Sequence, residues 1–133
     1  MVVPRSIFDE LVAHALEDAP NECCGIVAAQ DSRAVKSFRA TNQFASPLRY
    51  QIDSRDQLRI TNEIDENGWD LGAIYHSHTR SAAYPSQTDV NEAQWWPGVV
   101  YVIISVEDAS APVVKAFRID GPQVREEPIE VTE

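Results

Sequence analysis

Two strand-like segments constrain the fold more than any other feature of this 133-residue chain: residues 99–106, the longest apolar run, and residues 71–78, which end in polar residues. Each has the length of a β-strand and is far too short to cross a bilayer as a helix. The apolar run at 99–106 is typical of a strand that is buried on both faces, and the apolar part of 71–78 also predicts a buried strand. The sequence therefore predicts a sheet whose two sides are both covered by other elements.

Helical and strand-like patterns alternate along the rest of the chain. Apolar residues at helical spacing predict a first helix over 4–19 and a second over 54–66, with Ser54 as its N-cap. A short third helix is expected at 88–95, and further strands are expected at 24–29, 34–40, 49–52 and 113–119, with a weaker one around Val124. This order predicts one α/β domain over residues 1–133, with a mixed sheet flanked by helices.

Charge and cysteine content restrict the partners and the compartment. Eleven basic residues against twenty-one acidic ones give a net charge of −10, so we expect neither nucleic acid nor membrane as a partner. The amino terminus lacks the pattern of a secretory signal, which predicts a cytoplasmic protein. Cys23 and Cys24 are adjacent, and this predicts reduced thiols rather than a disulfide or a pair of metal ligands.

The chemically most informative segment starts at Tyr75-His76-Ser77-His78 and ends at Asp89. Residues i and i+2 of a strand face the same way, so the two imidazoles can converge while Ser77 faces the opposite side. Asp89 lies in the first turn of the next expected helix, and a loop that folds back can bring its carboxylate to the same point. Two histidines and one carboxylate, with an open coordination position, form a catalytic metal site.

The residues alone leave other metal proteins open. The same donors form the facial triad of non-haem Fe(II) oxygenases. A cupin barrel has a glutamate shortly after its second histidine, whereas residues 79–82 of this chain contain no acid. An amidohydrolase barrel needs about 250 residues. His14, a lone histidine, is predicted to be an ordinary packed or solvated side chain, and the tryptophans are predicted to belong to the core.

The spacing of His76-Ser77-His78, Ser86 and Asp89 resembles the JAMM motif of MPN-domain zinc metalloproteases. The segment from Asn21 through Glu22 to Gly25 resembles the upstream part of that family, which carries a glutamate before an early strand. The resemblance covers nearly the whole chain. It implies a single MPN domain, similar in fold to cytidine deaminases, with the activity of a JAMM-type isopeptidase and one zinc ion per chain.

The resemblance also implies a role for each matched residue. His76, His78 and Asp89 correspond to the zinc ligands, with a water molecule in the fourth position. Glu22 corresponds to the general base that takes a proton from this water and passes it to the leaving amine. Ser86 corresponds to the residue that stabilises the oxyanion of the tetrahedral intermediate, and it also suits the N-cap of the third helix.

The segment from His76 to Asp89, with Thr79 after the second histidine and the sequence of residues 84–89, resembles a short bacterial branch of the family. Members of this branch release cysteine from the C-terminus of a ubiquitin-like sulfur-carrier protein, a step of cysteine biosynthesis. The resemblance thus implies a peptidase that binds the carrier's tail and cleaves after its terminal Gly-Gly. The alternatives are a broader deconjugase that removes ubiquitin-like modifiers from lysine and a non-catalytic MPN scaffold. Nothing in the sequence predicts an oligomeric state.

Overall fold

The computed structural model describes the whole chain, residues 1–133, as one sheet with three α-helices packed against it. The helices are α1 (Arg5–Asp18), α2 (Ser54–Glu66) and α3 (Gln87–Glu92), and a 3₁₀ turn, Ala93–Trp95, follows α3. The strands are β1 (Val2–Pro4), β2 (Cys24–Gln30), β3 (Arg33–Ala40), β4 (Asp70–His78), β5 (Val100–Ser105), β6 (Val113–Asp120), β7 (Gln123–Glu127) and β8 (Glu130–Thr132). The expected mixed sheet flanked by helices is confirmed. No helix combines the length and the apolarity that crossing a membrane requires.

The sheet curls because its two edges are consecutive in the sequence. The strand order is β7-β6-β5-β4-β2-β3-β1-β8, so β7 and β8 lie at opposite edges although only residues 128 and 129 separate them. Three residue steps span about 11 Å at most, so the edges must approach each other. Met1 lies between them: its amino group donates to the Pro128 carbonyl (2.8 Å) and its own carbonyl accepts from the Glu130 N–H (2.9 Å).

Each face of the sheet carries its own core, and β4 contributes to both. Ala73 and Tyr75 pack on the side of α1, whereas Ile74 packs on the side of α2. The α1 side also holds Leu11, Ala15, Cys23, Val27, Val102 and Ile104, and the α2 side holds Cys24, Ile26, Phe38, Ile60, Ile64 and Tyr101. Strand alternation therefore places His76 and His78 on the α2 side and Ser77 on the α1 side, as the sequence predicted.

The start of α2 differs from the prediction by one residue. Asp53, rather than Ser54, is the N-cap, and its carboxylate accepts hydrogen bonds from the N–H groups of Arg55 and Asp56 (3.1 and 3.2 Å). A carboxylate at this position caps two free N–H groups and also interacts favourably with the helix dipole, which explains why the aspartate takes the place of the serine.

The predicted strand at 49–52 is wrong. Ile52 forms only one isolated bridge, with Asn42, and the segment between them is a loop. The Asn42 side chain accepts hydrogen bonds from the N–H groups of Phe44 and Gln51 (3.1 and 3.2 Å) and so replaces a strand ladder. Among the tryptophans, Trp69 and Trp96 pack partly buried against the α2-side core, but Trp95 is 70% exposed, so the prediction of a core role for it is wrong.

Tyr75 lies across β2 because Gly25, its partner in the antiparallel register, has no side chain. A Cβ atom at Gly25 would lie 2.3 Å from the Phe38 carbonyl oxygen and 2.4 Å from the tyrosine ring. The tyrosine hydroxyl is 2.7 Å from His14 Nδ1, and Nε2 of the same imidazole is 3.2 Å from the Asp18 carboxylate. His14 is thus a packed residue that holds Tyr75 in place by a hydrogen bond.

We predict that Gly25→Ala destabilises the protein by about 3 kcal/mol or more, the upper end of overpacking costs, because backbone as well as ring atoms would have to move. Urea unfolding of the metal-free protein measures this as a lower midpoint at an unchanged slope. Gly121→Ala is the control, since a Cβ there meets no atom within 4 Å and the cost comes only from its positive φ of 59°. Equal destabilisation by the two substitutions would contradict the close packing at Gly25.

Candidate active site

Three donor atoms from β4 and α3 converge at the end of the sheet. Nε2 of His76 and Nε2 of His78 lie 3.1 Å apart, and Oδ2 of Asp89 lies 3.2 Å from each. All three side chains are buried. The histidines converge because they are two residues apart on one strand, and the loop between His78 and α3 folds back to bring the carboxylate to them. The structure thus brings together the three predicted metal ligands.

A capping box at the start of α3 orients Asp89. The Ser86 hydroxyl oxygen accepts from the Asp89 N–H (3.1 Å), and the Ser86 N–H donates to Asp89 Oδ2 (2.9 Å). Ser86 is therefore the N-cap, as predicted. Burial raises the pKa of Asp89, but the neighbouring imidazoles and the Ser86 N–H outweigh it and hold this pKa well below its usual range.

The two imidazoles are held in different ways. His78 Nδ1 is 2.9 Å from the Ala82 carbonyl and donates to it, which orients the ring so that Nε2 faces His76 and Asp89. Burial lowers the pKa of His78, but its hydrogen bonds to Asp89 and Ala82 more than compensate and raise it. His76 is fully buried, and the Tyr50 ring stacks on it at 4.3 Å. Burial lowers the pKa of His76, because a charged imidazole loses its hydration there.

The donor set fits a zinc ion. Atoms bound at about 2.0–2.1 Å to a tetrahedral zinc ion lie about 3.3 Å from one another, close to the three separations seen here. His76 Nε2 and His78 Nε2 face each other at 3.1 Å, so a proton or a cation is needed between the two lone pairs. No other group of histidine, cysteine, aspartate and glutamate side chains in the chain has a comparable arrangement.

Glu22, the predicted base, lies in the loop before β2 and lines the same cleft as His78 and Asp89. Its backbone N–H donates to the Ser46 carbonyl (2.9 Å), and its own carbonyl accepts from the Asn42 amide (3.1 Å). The side chain is only 6% exposed, and this burial raises the pKa of Glu22 to about 7. A carboxyl group with such a pKa exchanges protons readily near neutral pH.

The cleft beside these residues has a volume of about 260 Å³ and a largely polar lining. Its walls are the loop residues 47–50, the segment 78–81 and the start of α3. Ser86 lies exposed at its rim, with a hydroxyl hydrogen that remains available for donation. The cleft is large enough for the end of an extended peptide, and two of the three donor residues, His78 and Asp89, line it.

The cysteines are not part of this site. Cys23 and Cys24 are free and fully buried, and they point into the cores on opposite faces of the sheet. Burial raises the pKa of Cys23 to about 12 and that of Cys24 still further, so neither forms a thiolate nucleophile at neutral pH. The prediction that they are unpaired thiols is confirmed.

Sequence reasoning missed the residues that support the site from the loop 41–53. Tyr50 stacks on His76, and Asn42 holds the backbone of Glu22. Strand or helix periodicity could not reveal them, because this loop has neither period.

Ser77 was expected to face away from the metal. Its hydroxyl accepts from the Cys23 N–H (2.8 Å), which holds the residue next to Glu22 against β4.

The chain matches the family model described as "Prokaryotic homologs of the JAB domain" over residues 4–120. It belongs to this JAB-domain family. The match confirms the resemblance to JAMM/MPN proteins that the motif indicated, and with it the predicted fold class. The enzyme class, a JAMM-type hydrolase, is confirmed as well. The separate roles of Glu22, Ser86 and the three donors stay predictions.

Two curated relatives of this JAB-domain chain are peptidases by name. This chain is 36% identical over 135 residues to the CysO-cysteine peptidase of Mycobacterium tuberculosis, and the match covers 100% of this chain and 92% of the relative. It is 35% identical over 112 residues to a probable TtuB-protein conjugate cleaving protease of Thermus thermophilus, covering 84% of this chain and 74% of the relative.

Solved structures show the same JAB fold. Protein DSY2949 from Desulfitobacterium hafniense superposes with a TM-score of 0.89 at 32% identity, covering 100% of this chain and 94% of that one. AF2198, a JAB1/MPN domain protein from Archaeoglobus fulgidus, superposes with a TM-score of 0.67 over the whole of both chains. At 16% identity, the second comparison bears on the fold alone.

The buried Glu22 leads to a prediction about stability. The folded-state pKa of this acid is about 7, above its ordinary value of 4.5, so the folded protein binds its proton more tightly than the unfolded chain does. Stability is therefore lost as pH rises from about 4.5 to 7, and the loss is complete above pH 7. Glu22→Gln removes this ionisation. Its effect on the free energy of unfolding of the metal-free protein should therefore be about 1–3 kcal/mol more favourable at pH 8 than at pH 5.

Urea unfolding of both proteins at the two pH values measures this difference. Glu92→Gln is the matched control, since Glu92 lies in the same cleft but is exposed and keeps its hydration on folding. This exposed substitution controls for the removal of one negative charge from the cleft. A Glu22→Gln effect that is independent of pH would contradict the burial of the Glu22 carboxyl group.

Proposed function

We propose that this chain is a zinc peptidase that hydrolyses the bond after the C-terminal Gly-Gly of a ubiquitin-like sulfur-carrier protein and releases cysteine. The observation that carries the proposal is the triangle of three buried donors beside the buried Glu22, at the floor of an open cleft. The 36% identity to a CysO-cysteine peptidase along the whole chain supports this substrate class. The reaction belongs to cysteine biosynthesis, and the reduced cysteines fit a cytoplasmic location.

His76, His78 and Asp89 would hold one zinc ion per chain. When bound, zinc lowers the pKa of water towards about 7 and polarises a carbonyl group. The capping box keeps the Asp89 carboxylate in place, and the Ala82 carbonyl fixes the tautomer of His78. The Tyr50 ring stacks on His76 and holds this imidazole in place. The three donors would therefore need little rearrangement to bind the ion.

Glu22 acts as the proton carrier. Its carboxylate takes a proton from the attacking water and gives it to the nitrogen of the leaving amine, which must be protonated before it departs. The pKa of about 7 suits both transfers near neutral pH, and a nearby cation favours the ionised form that starts the cycle. Burial shields this carboxyl group from bulk solvent and so keeps the proton available for the second transfer.

Ser86 has a hydroxyl group with two functions. Its oxygen accepts from the Asp89 N–H, which leaves the hydroxyl hydrogen free to point into the cleft. There it can donate to the oxygen of the scissile carbonyl as negative charge develops on it. The same residue thus orients Asp89 and stabilises the transition state.

The glycine tail of the carrier suits this cleft. Glycine has no Cβ, so its backbone can approach the donor triangle closely. Leu48, 71% exposed on the cleft wall, offers an apolar contact to the tail residues that precede the glycines. A broader deconjugase acting on lysine-linked modifiers is the second candidate, because a relative at 35% identity is named as a conjugate-cleaving protease.

The first test separates metal binding from proton transfer. His78→Ala should lose zinc and activity together, since three donors leave no substitute for the missing one. Glu22→Gln should keep zinc but slow cysteine release by about 10²–10⁴-fold, because an amide cannot accept the proton. Metal content by mass spectrometry and release of cysteine are the measurements, and Glu66→Gln, an exposed change on α2, is the control. Full zinc occupancy in His78→Ala, or a normal rate in Glu22→Gln, would refute these roles.

The second test concerns the substrate. A carrier that ends in Gly-Gly-Cys and the same carrier linked through its terminal glycine to a lysine side chain are supplied at equal concentration. We expect faster cleavage of the cysteine adduct, because the short chain has no insertion that could grip a folded leaving group. The relative kcat/KM values measure the preference. Faster cleavage of the lysine linkage would establish the deconjugase instead.

A further inference from the structure

Two arginines, Arg49 and Arg80, line the cleft that contains Glu22 and Asp89. Neither has a role in the proposed hydrolysis. Both side chains are exposed, and neither forms an ion pair or a side-chain hydrogen bond within the chain. The ion pairs use other basic side chains, those of Arg5, Lys36, Arg39, Arg59 and Arg118. The cleft therefore contains two guanidinium groups whose charge is not neutralised by an ion pair.

The backbone around Arg80 is held on both sides. The Thr79 hydroxyl donates to the Pro20 carbonyl (3.0 Å), and the Ser105 hydroxyl donates to the Ser81 carbonyl (2.6 Å). These bonds fix the position of the Arg80 backbone directly after the strand that carries the histidines. Only its side chain is free to contact a ligand in the cleft.

Arg49 is held by a different contact. Its guanidinium carbon lies 4.0 Å from the centroid of the Phe44 ring, and its carbonyl accepts from the Asn42 amide (3.1 Å). An aromatic ring orients a guanidinium by a cation–π interaction without removing its charge. The loop 41–53 thus presents a second ordered cation to the cleft.

The surrounding charges indicate what these cations bind. The protein has a net charge of −10, and Glu22, Asp89 and Glu92 line the same cleft. Without the two arginines, a negatively charged leaving group would be repelled from it. A released amino acid carries its α-carboxylate one carbon from the scissile nitrogen. In a lysine-linked conjugate, the whole methylene chain of the lysine separates the scissile nitrogen from the lysine α-carbon. No α-carboxylate therefore lies near an isopeptide bond.

We infer that Arg80 and Arg49 form a subsite for the α-carboxylate of the leaving amino acid. The inference rests on the proposed function and narrows its substrate class to carriers whose leaving group is a free C-terminal residue. A guanidinium presents planar N–H donors that match a carboxylate in a bidentate pair, which an ammonium group cannot do. The two arginines therefore determine specificity, while zinc and Glu22 perform the hydrolysis.

The experiment compares two substrates that differ only at the terminal group. One carrier ends in Gly-Gly-Cys with a free α-carboxylate, and the other ends in the α-carboxamide of the same cysteine. We expect the zinc-loaded wild type to favour the free acid by about ten- to hundredfold in kcat/KM, the range of charge-assisted hydrogen bonds. High salt should reduce this preference, because both arginines are exposed.

Three variants test the residues themselves. Arg80→Ala and Arg49→Ala should each slow cleavage of the acid more than that of the amide and so reduce the preference, whereas Arg80→Lys should keep part of it. Arg33→Ala is the matched control, because Arg33 is exposed, forms no ion pair and lies at the start of β3, outside the cleft. This variant should keep the full preference. Zinc content and thermal unfolding verify that each variant is folded and loaded.

The outcomes distinguish the subsite from the proposed function. Equal cleavage of the acid and the amide by the wild type would overturn the subsite and leave the peptidase intact. Arginine variants that slow both substrates equally would also overturn it, since the arginines would then bind the carrier or shape the cleft. Failure of the zinc-loaded wild type to cleave either substrate would overturn the subsite together with the proposed function.

Discussion

The antiparallel register of β2 against β4 is the constraint on which the site depends. Cys24 pairs with His76, so Glu22, just before β2, comes close to the end of β4 that carries the two imidazoles. The hydrogen bonds between Cys23 and Ser77 (2.8 and 3.1 Å) extend the pairing by one residue towards Glu22. A slip of one residue would turn both imidazoles towards the α1 side. Gly25 permits this register because its missing side chain leaves room for the Tyr75 ring.

The site concentrates polar groups that a stable core would not contain. Four buried side chains, Glu22, His76, His78 and Asp89, meet at one end of the sheet, and the pKa of Glu22 is raised by the loss of its hydration. The Nδ1 atom of His76 is buried without a hydrogen-bond partner. A cation between the donors would offset part of this cost, because it favours ionised Glu22 and neutral imidazoles. Binding of a cation at this position would therefore also stabilise the folded protein.

The proposed hydrolytic site and the proposed carboxylate subsite come from different parts of the fold. The donors and Glu22 lie on or beside β2, β4 and the start of α3, which the two cores hold in place. The cleft walls come from the loop 41–53 and the segment 79–86, where Arg49 and Arg80 are exposed. Loops on a rigid scaffold can change their side chains without disturbing the core. If the two proposals hold, substitutions in the cleft walls would change the leaving group that is accepted without displacing the three donors.

Local periodicity was enough to predict much of this protein. The spacing of the two imidazoles, the N-cap at Ser86 and the apolar central strands each depend on residues close in sequence, so the sequence alone determined them. It could not show that Asp53 caps α2, that residues 49–52 form a loop, or that β1 pairs with β8. These features depend on contacts between distant segments, as do the burial of Glu22 and the meeting of Arg49 with Arg80 in one cleft. Only the closed tertiary structure decides which distant groups lose water and which charges share a cavity.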